Sequence, residues 1–142
     1  MRITRKARFH AAHRNQRLVG SKCESLHGHT YRVEVDFEFD AGGAVTVLFE
    51  ELAADVERVT DLLDHAVLVD STDHEFTEAL KRTNSWHIVP FAFPTSAENL
   101  AAWLLKEIVT KNAAAVRVRL AETDSSTVTA ELEDLLTWPT TE

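Results

Sequence analysis

A strict alternation of apolar and polar side chains over residues 29–39 constrains the fold more than any other feature of the chain. From Tyr31 to Phe39 the odd positions are apolar, while the even positions carry polar or charged side chains. A period of two residues is that of a β-strand with one buried face and one solvated face, which is typical of antiparallel sheets. The segment therefore predicts a half-buried antiparallel strand.

Other elements follow from changes in this period. Helical spacing of apolar residues predicts one long helix from Phe49 to near Leu63 and a second one opened by the capping-box pattern Thr95-Ser96-Ala97-Glu98. The remaining predictions are a strand over residues 2–13, a turn at 41–43 leading into a short strand around Val45 and Val47, a short helix after Ser71 or Thr72, an extended run from Trp86 to Phe93, and strands over 115–122 and 128–132. This order predicts one α+β domain over residues 1–142, with helices on one face of an antiparallel sheet.

Composition narrows the class of protein. The chain has 142 residues, 44% of them hydrophobic, a net charge of −8 and a single cysteine. An acidic protein repels nucleic acid, and no apolar run is long enough to cross a membrane. We therefore expect neither a nucleic-acid nor a membrane partner. One cysteine cannot form an internal disulfide, so we expect the protein in a reducing cytoplasm.

Positive charge is nevertheless concentrated near the N-terminus. Residues 2–22 contain seven lysines and arginines and no acid. Such a segment suits a small anionic ligand, but a solvated strand edge that deters aggregation explains it equally well.

Three histidines form a candidate metal site. His27 and His29 lie two residues apart on a strand, so their side chains share a face and their Cα atoms are about 6.6 Å apart. His13 falls on the buried face of the first strand and is the natural third ligand. Three imidazoles with an open fourth position are typical of catalytic zinc.

Cys23 precedes this histidine pair by four residues. It could be a fourth ligand, a thiolate base beside a metal-bound substrate, or a small buried hydrophobic residue. Lys22 would lower the pKa of the thiol and favours the reactive alternative.

Two further carboxylates belong to candidate functional groups. Asp64 precedes His65 and could orient its imidazole as a proton shuttle, although the pair could equally be an ordinary helix terminus. Glu122 ends an apolar row and points inward, where it could bind the guanidine-like edge of a pterin or guanine. Glu98 is explained by helix capping alone.

Five motifs occur in an order that resembles the family of 6-pyruvoyl- and 6-carboxytetrahydropterin synthases. They are Phe9-His10-Ala11-Ala12-His13, Cys23 followed by Leu26-His27-Gly28-His29, Leu63-Asp64-His65, the segment from Pro94 to Ala101, and Glu122-Thr123. The resemblance covers nearly the whole chain. It implies the tunnelling fold, with a four-stranded antiparallel sheet and two helices, assembled into a barrel-forming oligomer, commonly a hexamer of two trimers with active sites between subunits.

The resemblance also implies residue roles. Zinc would lie at His13, His27 and His29, and the substrate would be 7,8-dihydroneopterin triphosphate. Cys23 would be the base, Asp64 and His65 its relay partners, and Glu122 the anchor of the pterin ring, with Thr95 and Glu98 near the pocket. The candidates for binding the triphosphate are Arg14, Arg17 and Lys22.

Two departures from the family pattern are relevant to function. Leu48 stands where the family often has an aspartate before the first long helix, so that helix needs another cap. Glu24 creates the Glu-x-x-His-Gly-His pattern of a relative that makes 6-hydroxymethyldihydropterin, although a loop glutamate facing water is the preferred interpretation.

The sequence is thus interpreted as a zinc-dependent 6-carboxytetrahydropterin synthase of deazapurine (queuosine-type) biosynthesis. The alternatives are 6-pyruvoyltetrahydropterin synthase, a dual activity through Glu24, and a non-catalytic zinc- or purine-binding module. No role is assigned to His10, His74 or His87.

Overall fold

The structure is a computed structural model that describes residues 1–40, 47–83 and 87–138. Within these ranges the chain forms six strands, three helices and two short 3₁₀ turns. The strands are β1 (Arg2–His13), β2 (His27–Glu38), β3 (Ala66–Asp70), β4 (Ile88–Phe91), β5 (Ala115–Thr123) and β6 (Ser126–Glu131). The helices are α1 (Phe49–Leu63), α2 (His74–Arg82) and α3 (Ala97–Lys111), and the 3₁₀ turns are Lys22–Glu24 and Leu132–Leu136.

All six strands belong to one mixed sheet in the order β4-β3-β1-β2-β5-β6. The four predicted antiparallel strands β1, β2, β5 and β6 are adjacent, but β3 and β4 extend the sheet by parallel pairing to the free edge of β1. The prediction of a four-stranded antiparallel sheet was therefore incomplete, because the sheet of the structure also contains the parallel strands β3 and β4. Residues 66–70 form a short, almost wholly buried apolar run, and such a run does not reveal by its period whether it is a strand or part of a helix.

The core lies between the sheet and the two long helices. From β2 the buried apolar side chains are the predicted odd positions, and they meet the apolar stripes of α1 and α3 in one cluster. Its large, fully buried members include Tyr31, Phe37, Leu52, Leu63, Leu104 and Ile108. Because β1 pairs with β2 in antiparallel register, Phe9 is opposite Tyr31 and His13 is opposite His27 on this same face.

The other face of the sheet carries a network of ion pairs. Asp36 is only 2% exposed, yet it accepts hydrogen bonds from Thr4, Arg117 and Arg119. Burial alone would raise the pKa of Asp36, but these donors outweigh it and lower the pKa to about 2. Arg119 also binds Glu34, so the charged even positions of β2 are paired across the sheet.

The helix starts differ in their capping. Ser96, not Thr95, occupies the N-cap of α3 and accepts a hydrogen bond from the backbone N–H of Asn99, so the helix begins one residue later than the capping-box pattern predicts. Glu98 is consequently at the second helical position and is not the capping-box acid. α1 begins after Leu48, whose side chain provides no cap.

Some predictions concern residues outside the described ranges. The turn at 41–43, the strand position Val45 and Trp86 at the start of the extended run are among them, while Val47 is described and does not belong to a strand. No helix among the described residues has the length and apolar character needed to cross a membrane.

Candidate metal centre and active site

Three imidazoles converge at the end of the β1–β2 pair. The ring centroids of His13, His27 and His29 are 4.7, 5.3 and 4.8 Å apart in the three pairings. One ring nitrogen from each lies within 4.8 Å of the other two, so the residues form a group that could hold a metal ion. The antiparallel register produces this arrangement because it sets His13 opposite His27 and Ala11 opposite His29.

Hydrogen bonds to backbone carbonyls orient two of the rings. Nδ1 of His13 lies 2.7 Å from the carbonyl oxygen of Thr95, and Nδ1 of His27 lies 2.6 Å from that of Ser25. A carbonyl oxygen can only accept, so both Nδ1 atoms donate and both Nε2 atoms keep a lone pair. This second layer of contacts is how proteins fix the tautomer of a metal-binding histidine.

Burial favours the neutral, metal-binding form of two of the rings. It lowers the pKa of His13 to about 4, and the neighbouring histidines act in the same direction against the Thr95 hydrogen bond. Burial also lowers the pKa of His29, while the charge of Glu122 opposes the shift. Three imidazoles are a donor set that suits zinc and other transition metals, so the residues present fit the expected metal.

Glu122 lies beside this centre. Its Oε1 is 3.7 Å from Nε2 of His13, and its side chain is 26% exposed. The residue lies where the β5–β6 pairing shifts register between Ala121 and Thr123, and such bulges redirect side chains. A carboxylate at the rim of a three-histidine centre can bind the donor edge of a ligand held there.

Cys23 is in the exposed 3₁₀ turn that precedes β2. Its backbone carbonyl accepts a hydrogen bond from Asn15, which closes the loop between β1 and β2. Its thiol does not join the ligand group found among the described residues, which disfavours a fourth metal ligand. The carboxylate of neighbouring Glu24 accepts the backbone N–H of Gly20, so this glutamate closes the same loop.

Asp64 and His65 are tied to the opposite side of β1. Oδ1 of Asp64 accepts the backbone N–H of His10, and Oδ2 is 2.9 Å from Nδ1 of His65. The pKa of Asp64 lies below its usual value, and the hydrogen bond from the backbone of His10 is the main cause. His65 has φ of 57°, an uncommon backbone conformation for a residue other than glycine. The ring of His65 also packs edge-on against that of His10, with centroids 5.9 Å apart. Side chains alternate between the two faces of a strand, so His10 and the pair lie on the face away from His13 and the three-histidine centre.

The sequence of the chain matches a known protein family. The sequence profile described as 6-pyruvoyl tetrahydropterin synthase matches residues 2–133. This chain belongs to that family. A curated relative named 6-carboxy-5,6,7,8-tetrahydropterin synthase, from Haemophilus influenzae, is 32% identical over 116 residues, which cover 74% of this chain and 81% of the relative.

Solved structures agree on the fold. An uncharacterized protein from Wolinella succinogenes has a TM-score of 0.76 at 18% identity, covering 93% of this chain and 98% of its own. The 6-pyruvoyl tetrahydropterin synthase of Caenorhabditis elegans has a TM-score of 0.67 at 21% identity, covering 92% and 94%. At these identities the likeness establishes the fold of tetrahydropterin synthases for this chain.

The residues expected to bind phosphate have different surroundings within the family fold. Arg14 forms two hydrogen bonds of 2.7 Å with Asp73, a buried carboxylate that also caps α2. Nη2 of Arg17 lies 3.5 Å from Oδ2 of Asp70, whereas Lys22 is exposed in the turn beside Cys23. Arg14 thus has a structural partner that sequence reasoning missed, because Asp73 is distant in sequence.

The other histidines and pocket candidates are also located. His10 contacts Thr30 through Nδ1, His87 contacts the carbonyl of Leu62, and His74 begins α2. Thr95 is buried against His13, while Glu98 is exposed on α3. The structure adds Ser25 and Tyr31 to the site. The apolar row of β2 placed Tyr31 in the core, but only the register set it beside Glu122.

Proposed function

We propose that this chain is a zinc-dependent 6-carboxytetrahydropterin synthase, a lyase acting on 7,8-dihydroneopterin triphosphate. The observation that carries the proposal is the convergence of three imidazoles beside the Glu122 carboxylate. Membership of the tetrahydropterin synthase family and the name of the Haemophilus influenzae relative support it. Deazapurine biosynthesis is the pathway that this activity would serve.

Substrate binding is assigned to three groups of residues. The Glu122 carboxylate would accept hydrogen bonds from the amino-pyrimidine edge of the pterin. His13, His27 and His29 would hold the zinc ion, which when bound supplies Lewis-acid polarisation of the substrate side-chain hydroxyls.

Lys22, with Arg17, would bind the triphosphate, while Arg14 would instead support the loop through Asp73. Thr95 would orient His13 through its carbonyl, and Glu98 stays a candidate at the pocket rim.

Proton transfer is assigned to Cys23, Asp64 and His65. The Cys23 thiolate would remove a carbon-bound proton from the substrate side chain. Asp64 would hold Nδ1 of His65, so that Nε2 would be free to exchange a proton. Because the Asp64–His65 pair faces away from the histidine centre of its own chain, it would serve the site of a neighbouring subunit. This requires a homo-oligomer, for which the family suggests a dimer of trimers.

Product analysis tests the activity. Purified protein is incubated with 7,8-dihydroneopterin triphosphate in the presence of zinc, and the products are identified by mass spectrometry. Carboxytetrahydropterin with acetaldehyde is the expected result. Pyruvoyltetrahydropterin would reassign the chain to the sister activity, which would use the same ligands and base, and hydroxymethyldihydropterin would assign Glu24 a catalytic role. Absence of turnover with all metals tested would contradict the proposal.

Replacement of Cys23 separates an enzyme from a binding module. Cys23→Ala is expected to lower turnover by about 10²- to 10⁴-fold, the usual contribution of a general base. Metal content should stay at the wild-type level, because the thiol is outside the ligand group. Loss of the metal would instead make Cys23 a ligand, and unchanged turnover would remove it from the mechanism. Val19→Ala, which alters an exposed side chain of the same loop, is the matched control.

A further inference from the structure

The hydroxyl of Tyr31 is a buried polar group without a satisfied partner. Tyr31 is completely buried, and among the described residues its hydroxyl oxygen has no hydrogen-bond partner of good geometry. Most buried polar atoms in folded proteins are paired, so each exception calls for an explanation. Phenylalanine would fill the same space without leaving a hydroxyl unpaired, so packing alone does not account for the tyrosine.

The ring of Tyr31 is held rigidly behind the metal centre. It stacks on Phe9 with centroids 4.7 Å apart and planes at 11°. Its centroid also lies 5.4 Å from that of His29 and 6.2 Å from that of His13, both in edge-on contact. Because these ring contacts restrict rotation of the side chain, its hydroxyl can point in only one direction.

Glu122 lies on the neighbouring strand. The register of β2 with β5 pairs Val33 with Leu120 and Arg32 with Ala121, and Tyr31 and Glu122 are the next residues of the two strands beyond the Arg32–Ala121 pair. Burial raises the pKa of Tyr31, and the charge of Glu122 and an interaction of its carboxylate with the hydroxyl add to this shift, which is consistent with a close approach of the two groups. An ionised carboxylate can only accept a hydrogen bond, so the phenol hydroxyl is the donor of the pair.

We propose that Tyr31 is a positioning residue for Glu122. Its hydroxyl donates a hydrogen bond to one carboxylate oxygen of Glu122 when that carboxylate turns to bind the donor edge of the pterin ring. The carboxylate has enough acceptor sites for both the hydroxyl and the ligand. Tyr31 thereby fixes the angle at which Glu122 meets the ring, and touches neither the metal nor the substrate. This inference rests on the proposed pterin-binding role of Glu122.

Tyr31→Phe tests the inference, because it removes one oxygen atom and preserves the stack on Phe9. We expect the dissociation constant for neopterin, measured by fluorescence titration, to rise by about tenfold, in line with loss of a hydrogen bond to a charged group. KM for the triphosphate should rise with it while kcat changes little. Metal content and melting temperature should stay at the wild-type level or higher. A variant with wild-type neopterin affinity and KM would overturn the inference.

A double-mutant cycle checks the route of the effect. In a Glu122→Gln background, Tyr31→Phe should cause little further loss of neopterin affinity, since the hydroxyl acts through the carboxylate. Full additivity of the two losses would contradict a positioning role. Failure of the proposed function has a different signature, because wild-type protein would then neither bind neopterin nor turn over the triphosphate.

The chain offers a spectroscopic readout that is independent of turnover. Tyr31 is the single tyrosine in the sequence, so 3-fluorotyrosine incorporation labels this ring alone. Saturating neopterin is expected to shift its fluorine resonance in wild-type protein, with or without added zinc. An unmoved resonance at saturation would overturn the inference.

Discussion

At the scale of single residues, the metal centre depends on which ring nitrogen carries the proton. The carbonyls of Thr95 and Ser25 hold the Nδ1 protons of His13 and His27, which leaves the Nε2 atoms to face the site. Burial, with the proximity of the other two rings, lowers the pKa of His13 to about 4. The arrangement of the three side chains is therefore one that could hold a cation.

Removal of one of the three imidazoles should weaken metal binding. His27→Ala is expected to lose most of its bound metal, because two histidines provide a far weaker site than three. Inductively coupled plasma mass spectrometry of purified protein measures the metal content. His74→Ala, an exposed position at the start of α2, is the matched control and should retain the wild-type content. Equal metal content in both variants would contradict the assigned ligand set.

At the scale of elements, the strands β1, β2 and β5 are joined on their solvated face by the buried carboxylate of Asp36. Arg117 and Arg119 reach it from β5, and Thr4 reaches it from β1. The pKa of Asp36 is lowered to about 2 in the folded chain, so the unfolded chain binds a proton more readily than the folded one. The stabilisation is present above about pH 4 and is lost as the pH falls towards 2.

Asp36→Asn should therefore destabilise the fold in a pH-dependent way. At pH 7 the free energy of unfolding is expected to fall by about 2 kcal/mol relative to wild type. The difference should shrink progressively below pH 4, as measured by urea denaturation at several pH values. Glu38→Gln removes an exposed pair with Arg2 and should change stability by less than about 0.5 kcal/mol. A pH-independent difference for Asp36→Asn would contradict the assigned ion pairs.

Helix caps provide a second test at this scale. Ser96→Ala removes the cap of α3 and is expected to lower the free energy of unfolding by about 1 kcal/mol. Leu48→Asp adds an acceptor to α1, whose N-cap side chain makes no bond, and should raise it by a similar amount, since Leu48 is 53% exposed. Thermal and urea unfolding measure both changes. Changes of equal sign in the two variants would contradict the assigned cap positions.

At the scale of the whole molecule, one chain provides two halves of the proposed chemistry on opposite sides of its sheet. The histidines and Glu122 are on the helix-covered face, while Asp64 and His65 pack beside His10 on the other. The proposed mechanism needs both halves at one substrate. Assembly of several copies is the arrangement that would bring them together.

Mixed oligomers test this arrangement. Co-expression of Cys23→Ala and His65→Ala chains, each inactive alone, should restore activity at about a quarter of the sites, where an intact thiol meets an intact relay pair from a neighbour. Co-expressed Cys23→Ala and His29→Ala chains are the control. Both of their defects belong to one half of the site, so no activity should return. Lack of recovery in the first pair would contradict shared sites.

The strands and helices with a clear hydrophobic period could be predicted from the amino-acid pattern alone. Residues 29–39 and the stripe from Phe49 to Leu63 have the structures that their periods predict, because a regular period commits a whole face to the core. The face shared by His27 and His29 followed from the same rule. Membership of the family was also readable from the five ordered motifs.

Contacts between residues that are distant in sequence became apparent only in the folded chain. Residues 66–70 form a strand because they pair with the free edge of β1. Their short apolar run has no period from which a strand could be predicted. The partnership of Arg14 with Asp73, the carbonyl of Thr95 at His13 and the approach of Tyr31 to Glu122 all join residues far apart in sequence. Such contacts depend on strand register and chain path, which are properties of the assembled sheet and of no local segment.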